Sequence, residues 1–153
     1  MYKTVLLMSL LVFYGCRQEK VERYPLDSLF NTAKLISTDS VTKVDICKHV
    51  PSDWDSILIV KPYTVISTQE DLRELTNFSN IESDINDIEY SDMICYLLFV
   101  KSKKVIGYGE VTRTPFDFAA SFPPVGKKLG VIKRSDCEKL YIKRGRRKLF
   151  IMP

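Results

Sequence analysis

The pattern that most constrains the fold is an apolar run, a short polar turn and a second alternating run between Asp92 and Thr114. The letters are DMICYLLFVKSKKVIGYGEVTRT, with KSKK at the centre. Two β-rich runs joined by a short polar turn are typical of an antiparallel β-hairpin. We therefore predict two long neighbouring strands, and the rest of the fold must place them in a sheet.

Shorter patterns before and after this hairpin predict the other elements. SVTKVDICKHV and WDSILIVKPY predict two more strands, and CEKLYIKRGRRKLFIMP predicts a second hairpin that turns near Gly145. Residues 26–36 and 81–90 have the apolar spacing of short helices, and Ser67 with Glu70 has the spacing of a capping box. The prediction is an α+β fold, an antiparallel sheet of hairpins with a few short helices packed on one face.

The N-terminal residues indicate export and lipidation. Lys3 is followed by an apolar run of about ten residues, Val5 to Tyr14, and then by Gly15 and Cys16. This length is typical of a signal peptide and falls short of the roughly 20 residues that a membrane-spanning helix needs. The arrangement resembles a bacterial lipoprotein signal peptide, in which cleavage leaves a lipidated cysteine at the new N-terminus. A plain secretory signal with a chance cysteine is the alternative.

The same pattern sets the expected domain boundaries and location. We expect a signal segment at 1–15, a lipidated cysteine with a charged tether at 16–24, and a single α+β domain at 25–153. Two or three acyl chains on Cys16 would hold the protein durably at a membrane. The charged residues after Cys16 are similar to surface-export signals of Bacteroidetes lipoproteins. We expect the bacterial outer membrane, on its periplasmic or its surface face.

Three further cysteines, Cys47, Cys95 and Cys137, allow one disulfide and one free thiol outside the cytoplasm. Cys95 lies in the apolar run MICYLLFV, so we predict a small core residue there. If a disulfide forms, we expect it between Cys47 and Cys137.

The charges are unevenly distributed along the chain. Eight acidic residues and the single basic Arg73 lie between Glu70 and Asp92, whereas ten basic residues lie between Lys127 and Lys148. The domain is polarised if these segments lie apart, and the charges neutralise each other if they lie together. The stretch KRGRRK has two interpretations. It is a solvated turn, or it is a binding site for anionic lipid headgroups or for an acidic partner. Its basic residues are Lys143, Arg144, Arg146, Arg147 and Lys148.

A catalytic or metal site has one candidate, the stretch DICKH. On a strand, Asp45, Cys47 and His49 would share one face, as a nucleophile or a metal site would need. Side chains two residues apart on a strand lie beyond hydrogen-bond reach, and His49 is the only histidine. We therefore expect no catalytic residue, no metal and no cofactor. Nucleic acid is not an expected partner for an exported protein.

Residues 52–120 resemble a family of small uncharacterised bacterial lipoproteins. The matching motifs are a Trp-Asp that opens a strand ending in Pro-Tyr, and an aspartate before a hairpin that ends near an arginine and Asp-Phe. The positions that carry the resemblance are Trp54, Asp55, Pro62, Tyr63, Asp92, Arg113, Asp117 and Phe118. The resemblance implies a location and a fold but no chemistry.

Two interpretations of these residues stay open. In the structural one, Trp54 fills one end of the core, and the aspartates accept hydrogen bonds in turns. In the functional one, Trp54, Tyr63 and Arg113 form a surface patch that binds a partner. The expected function is a non-enzymatic module for interaction or assembly in the envelope. The alternative is an inhibitor or immunity-type lipoprotein that blocks an envelope enzyme through a protruding loop such as FPPVG or the basic hairpin.

Overall fold

The structure is a computed structural model, and it describes residues 20–28, 41–43, 46–48, 50, 53–113, 117–121, 129–143 and 149–151. The strands are β1 (Glu22–Arg23), β2 (Val41–Lys43), β3 (Ser56–Val60), β4 (Ile94–Lys101), β5 (Lys104–Thr112), β6 (Gly130–Lys133), β7 (Leu140–Lys143) and β8 (Leu149–Ile151). The α-helices are α1 (Glu70–Arg73), α2 (Glu82–Ile85) and α3 (Phe118–Ser121). Short 3-10 helices span Ile46–Lys48, Ile66–Thr68, Phe78–Asn80, Asn86–Glu89 and Arg134–Lys139.

The strands form a five-stranded sheet, in the order β1-β5-β4-β3-β6, and a three-stranded sheet, in the order β2-β7-β8. The α+β prediction is confirmed, but the larger sheet is mixed rather than purely antiparallel. The exception is β1, which pairs with β5 in parallel, with Glu22 opposite Gly107 and Arg23 opposite Tyr108. The other pairings of the named strands in both sheets are antiparallel.

The predicted central hairpin is confirmed as β4 and β5. Its two-residue turn places Ser102 at φ 47° and Lys103 at φ 64°, the backbone twist that suits tight hairpins. Asp55 supports the turn, because its Oδ2 accepts a hydrogen bond from the Ser102 N–H at 2.8 Å. We call the end of the five-stranded sheet that carries this turn the hairpin end. The opposite end, where β3 ends and β4 begins, is the far end.

Strand β4 is almost continuously apolar because both of its faces are covered. The core cluster on one face includes Cys95, Leu97 and Phe99, and the cluster on the other face includes Tyr96, Leu98 and Val100. The sheet is therefore the middle layer of the domain.

The chain between Ile66 and Glu89 covers one face with short helices. The predicted apolar spacing is confirmed here, since Ile81, Ile85 and Ile88 are all buried. The predicted capping box is not formed, because the residue that precedes α1 is Gln69 and no side chain caps it. Leu72 of α1 still packs into the same core cluster.

The opposite face is covered as well, which the prediction of helices on one face did not include. Ile46, Cys137 and Leu140 pack there together with Phe118 of α3. Among the described residues of SVTKVDICKHV, the predicted strand is formed at Val41–Lys43, and Ile46–Lys48 is a 3-10 helix instead. The predicted second hairpin is confirmed in the pairing of β7 with β8.

The acidic segment and residues 134–143 of the basic segment lie on opposite faces of the five-stranded sheet. The acidic segment belongs to the helical layer, and its Ile81, Ile85 and Ile88 reach the cluster on that face. The described part of the basic segment continues through Arg134–Lys139 into β7, whose Leu140 reaches the other cluster. The polarised alternative therefore holds for Arg134–Lys139 and β7. Leu129 is the exception, because it packs with the acidic layer and its N–H donates to Asp71 Oδ2 at 3.4 Å.

The N-terminal segment joins the domain earlier than the predicted boundary at residue 25. Val21 is buried in one core cluster, Glu22–Arg23 form β1, and the Tyr24 N–H donates to the Tyr108 carbonyl oxygen at 2.8 Å. Residues 26–28 are helical, and the rest of the helix predicted over 26–36 lies outside the described residues. The segment predicted as tether is thus part of the folded domain from residue 21 onward.

Two glycines of β5 allow this close approach. A Cβ built on Gly109 would lie 2.5 Å from two side-chain carbons of Leu26 and 2.8 Å from the Tyr24 backbone oxygen. A Cβ on Gly107 would lie 2.4 Å from the Tyr24 ring edge. Glycine at these positions therefore leaves room for the N-terminal segment, which the letters GYGE alone do not reveal.

We expect Gly109→Ala to lower the free energy of unfolding by roughly 1–3 kcal/mol, because the new methyl group pushes on fixed backbone and on fully buried Leu26. Gly107→Ala is the matched control and should cost less. Its Cβ would meet the partly buried Tyr24 ring, and the nearest backbone oxygen, that of Glu22, is 3.2 Å away rather than 2.8 Å. Urea titrations of both variants measure the difference. An equal or larger loss for Gly107→Ala would contradict this account of the packing.

Candidate functional site

Trp54 lies in the core at the hairpin end and is 2% exposed. Its ring centroid is 6.3 Å from that of Phe99, and the guanidinium carbon of Arg134 lies 4.7 Å from the Trp54 ring centroid. The structural interpretation of Trp54 is therefore confirmed. A buried ring is not available to a partner, so Trp54 does not belong to an exposed patch.

Arg113 lies at the far end, where it holds helix α3 against the sheet. Its Nε and Nη2 donate to the two carboxylate oxygens of Asp117 at 3.2 and 2.7 Å, and its Nη1 donates to the Asp92 carbonyl oxygen at 3.1 Å. The hydrogen bond to Asp117 raises the pKa of Arg113. Asp117 also accepts the Ala120 N–H at 3.0 Å, near the start of α3. Arg113 is therefore engaged in a bidentate structural pair.

Tyr63 also lies at the far end, with 62% of its surface exposed. Its φ of 59° is left-handed, a conformation that costs a bulky residue about 1–2 kcal/mol. The Tyr63 N–H donates to the Ile88 carbonyl oxygen at 2.8 Å, so the loop is fixed against the helical layer. Strain that is held in place in this way is found at functional surfaces.

Tyr63 belongs to a larger exposed apolar surface that we call the far-end patch. Its residues come from two segments, 63–65 and 90–93, and they are Tyr63, Val65, Tyr90 and Met93. The segments are linked by the Tyr63–Ile88 hydrogen bond and by the Ile66 N–H, which donates to Glu89 Oε1 at 2.8 Å. Tyr90 is 86% exposed.

The sequence interpretation found one member of this patch, Tyr63, and missed the other three. A signal for Tyr90 was present, because it falls outside the spacing of Ile81, Ile85 and Ile88 and therefore cannot share their buried face. Val65 and Met93 carry no comparable signal. The structure thus brings Tyr63 and Arg113 to the same end of the sheet and places Trp54 at the other.

An open groove of about 1070 Å³ lies beside the edge strand β1. Its lining residues are Lys20, Val21, Glu22, Arg23, Ser79, Asn80, Ile81, Asp84 and Tyr108. The Tyr108 hydroxyl donates to Asp84 Oδ2 at 2.5 Å, and burial with this contact raises the pKa of Tyr108 to about 12. The tyrosine is therefore protonated at neutral pH and already has an acceptor, so it is not an activated nucleophile.

The cysteines have structural positions. Cys47 and Cys137 form the predicted disulfide, and Cys95 is a buried free thiol whose pKa is raised by burial to about 11. The candidate stretch DICKH therefore has no free thiol to act as nucleophile. Asp45 and His49 lie outside the described residues.

The remaining predicted sites fall mostly outside the described residues. This holds for Cys16, for Gly145, for the FPPVG loop, and for Arg144, Arg146, Arg147 and Lys148. Lys143 is the last residue of β7. In the described part of the chain, no group of three or more histidine, cysteine, aspartate or glutamate residues could hold a metal ion. The described helices are all too short or too polar to cross a membrane.

Comparisons with protein-family models, with curated proteins and with solved structures returned no match. The resemblance to small bacterial lipoproteins therefore stays a prediction from the sequence. The candidate site rests on geometry alone, and the far-end patch is its most distinctive feature.

Proposed function

We propose that this protein is an outer-membrane lipoprotein whose domain is a non-enzymatic module for interaction or assembly in the cell envelope. The apolar run that ends at Gly15-Cys16 supports the lipid anchor. The far-end patch supports binding, because exposed apolar clusters on soluble domains mark interaction surfaces. Engagement of Cys47 in a disulfide and burial of Cys95 support a binding role over thiol chemistry.

The observation that carries this proposal is the direction in which the chain joins the sheet. Glu22 and Phe99 are both opposite Gly107, so β1 begins level with Phe99. The parallel strand then runs toward the far end, and Met93 lies six residues from Phe99, or about 20 Å along the sheet. The chain therefore enters β1 from the hairpin end, which is the end opposite the patch. Anchored from that end, the domain presents the patch to other molecules of the envelope.

We expect Cys16→Ala to abolish both incorporation of labelled palmitate and retention in the membrane fraction. Cys16 is the residue that would take the acyl chains, and durable attachment needs at least two of them. Cys95→Ala is the matched control, because it removes a free cysteine that is fully buried in the core. The control should keep the label and the membrane retention.

Label or membrane retention that survives in Cys16→Ala would refute the anchoring proposal. Equal loss in both variants would point to misfolding, which the melting temperature of each purified chain reveals. The inhibitor alternative predicts one envelope enzyme as partner and loss of that enzyme's activity on addition of the protein.

A further inference from the structure

The far-end patch contains most of the exposed apolar surface in the described residues. Five large apolar side chains are exposed among the described residues, and four of them belong to the far-end patch. The fifth is Val131 on the edge strand β6. Because such side chains are normally scattered singly, their concentration at one end indicates a surface that another molecule covers. Tyrosine and methionine are also enriched in the centres of protein interfaces.

The surroundings of the patch are acidic. Asp92 is exposed and directly precedes Met93, Glu89 directly precedes Tyr90, and Asp87 lies three residues before Tyr90. The helical layer that adjoins the patch carries seven acidic residues against the single Arg73. On the basic side, Arg113 at this end is neutralised by its pair with Asp117, and Lys61, which follows β3, is outnumbered by Asp87, Glu89 and Asp92. The patch is therefore an apolar centre with a negative rim.

We infer that the far-end patch binds a basic protein surface that has an apolar recess for Tyr90 and its neighbours. The negative rim favours a protein over a membrane as the molecule that covers the patch. A bacterial membrane surface is anionic, so it repels this rim, whereas a basic protein surface is attracted to it. The inference rests on the proposed function only for the anchor direction, which also turns the patch away from the bilayer.

The patch is pre-organised for this contact. Tyr63 is fixed by its backbone hydrogen bond to Ile88, and segment 63–66 is tied to Glu89. Met93 precedes β4, and its carbonyl oxygen accepts the Arg113 N–H at 2.8 Å. Since these backbone positions are set before binding, little ordering entropy is lost when the partner docks.

The test is site-specific photo-crosslinking of the full chain in the cells that produce it. The photoreactive residue p-benzoylphenylalanine replaces Tyr90 in one form and Val131 in the control form; both positions are exposed. We expect a discrete protein adduct from position 90 that exceeds the yield from position 131 by about tenfold, as for a residue at the centre of an interface. Mass spectrometry of the adduct should locate the cross-link on a basic surface.

The charge dependence is tested in the same form by Asp92→Lys. We expect the adduct yield from position 90 to fall by about threefold, because a rim charge is reversed. Glu138→Lys is the matched control, since it reverses an exposed charge in Arg134–Lys139 on the opposite face, and it should leave the yield unchanged. Melting temperatures equal to that of the parent chain exclude misfolding.

Four results would overturn the inference. They are adducts with lipid only, no discrete adduct, equal yields from positions 90 and 131, and a yield that rises in Asp92→Lys. Failure of the anchor is distinguishable, because it appears as membrane retention in Cys16→Ala. The comparison of adduct yields from positions 90 and 131 tests whether the far-end patch binds a protein, and it does so whether or not Cys16 carries a lipid.

Discussion

Removing the disulfide between Cys47 and Cys137 should lower the free energy of unfolding by roughly 4–5 kcal/mol. The two cysteines are 90 residues apart in the chain, so the cross-link restricts a long loop in the unfolded state. It joins Ile46–Lys48 to Arg134–Lys139, two 3-10 helices on the same face of the sheet. A loss of this size is a large part of a typical stability of about 5–15 kcal/mol.

The measurement is a urea titration of the double variant Cys47→Ala/Cys137→Ala and of the parent protein, oxidised and reduced. The reduced parent should match the double variant, because Cys95 is the remaining described cysteine and is a buried free thiol. Three reactive thiols in the unfolded, unreduced domain would show that the disulfide does not form. A double variant as stable as the oxidised parent would show that the cross-link contributes nothing.

The central hairpin could be predicted because its strands and turn give mutually consistent signals. Apolar runs on both sides of KSKK favour strands, and the turn then fixes which residues face each other. The buried spacing of Ile81, Ile85 and Ile88 was predictable for the same reason, since periodicity reports burial directly. The pairing of Cys47 with Cys137 followed from elimination, because Cys95 sits in an apolar run, but the sequence left open whether a disulfide forms at all.

Strand β1 could not be predicted, because two residues carry no periodicity. Its place depends on Gly107 and Gly109 across the sheet, which are more than 80 residues away in the chain. The strand predicted over residues 40–50 was wrong at Ile46–Lys48 for a related reason. A tertiary constraint, the disulfide at Cys47, is satisfied by a 3-10 turn where the local alternation favours a strand.

The far-end patch was only partly predictable. The exposure of an apolar side chain depends on which segments happen to cover it, and that is a property of the tertiary fold. Tyr63 was singled out by its motif, whereas Met93 looked like the first residue of a buried strand. Its 57% exposure follows from its position one residue before β4. The sequence left open whether Trp54 is a core residue or part of a surface patch, and its burial in the structure shows that it is a core residue.

Replacing Trp54 with alanine should cost roughly 3–5 kcal/mol of unfolding free energy, the usual loss for a buried tryptophan. The ring is 2% exposed and packs with Phe99, and Arg134 stacks on its face. Removing it leaves a cavity at the hairpin end and takes away a cation–π contact of about 0.5–1 kcal/mol. Trp54 is the only tryptophan, so the unfolding of all variants is followed by circular dichroism.

Trp54→Phe is the matched control, and its expected loss is much smaller. Within the described residues, the buried indole Nε1 of Trp54 has no hydrogen-bond acceptor, and neither has the buried Nη1 of Arg134. Phenylalanine keeps an aromatic ring beneath Arg134 and removes a buried donor that was never satisfied, which offsets part of the lost packing. If the two variants were equally destabilised, the indole N–H would have a partner that stabilises the fold. If neither changed the midpoint of unfolding, Trp54 would be exposed in solution and would return as a candidate binding residue.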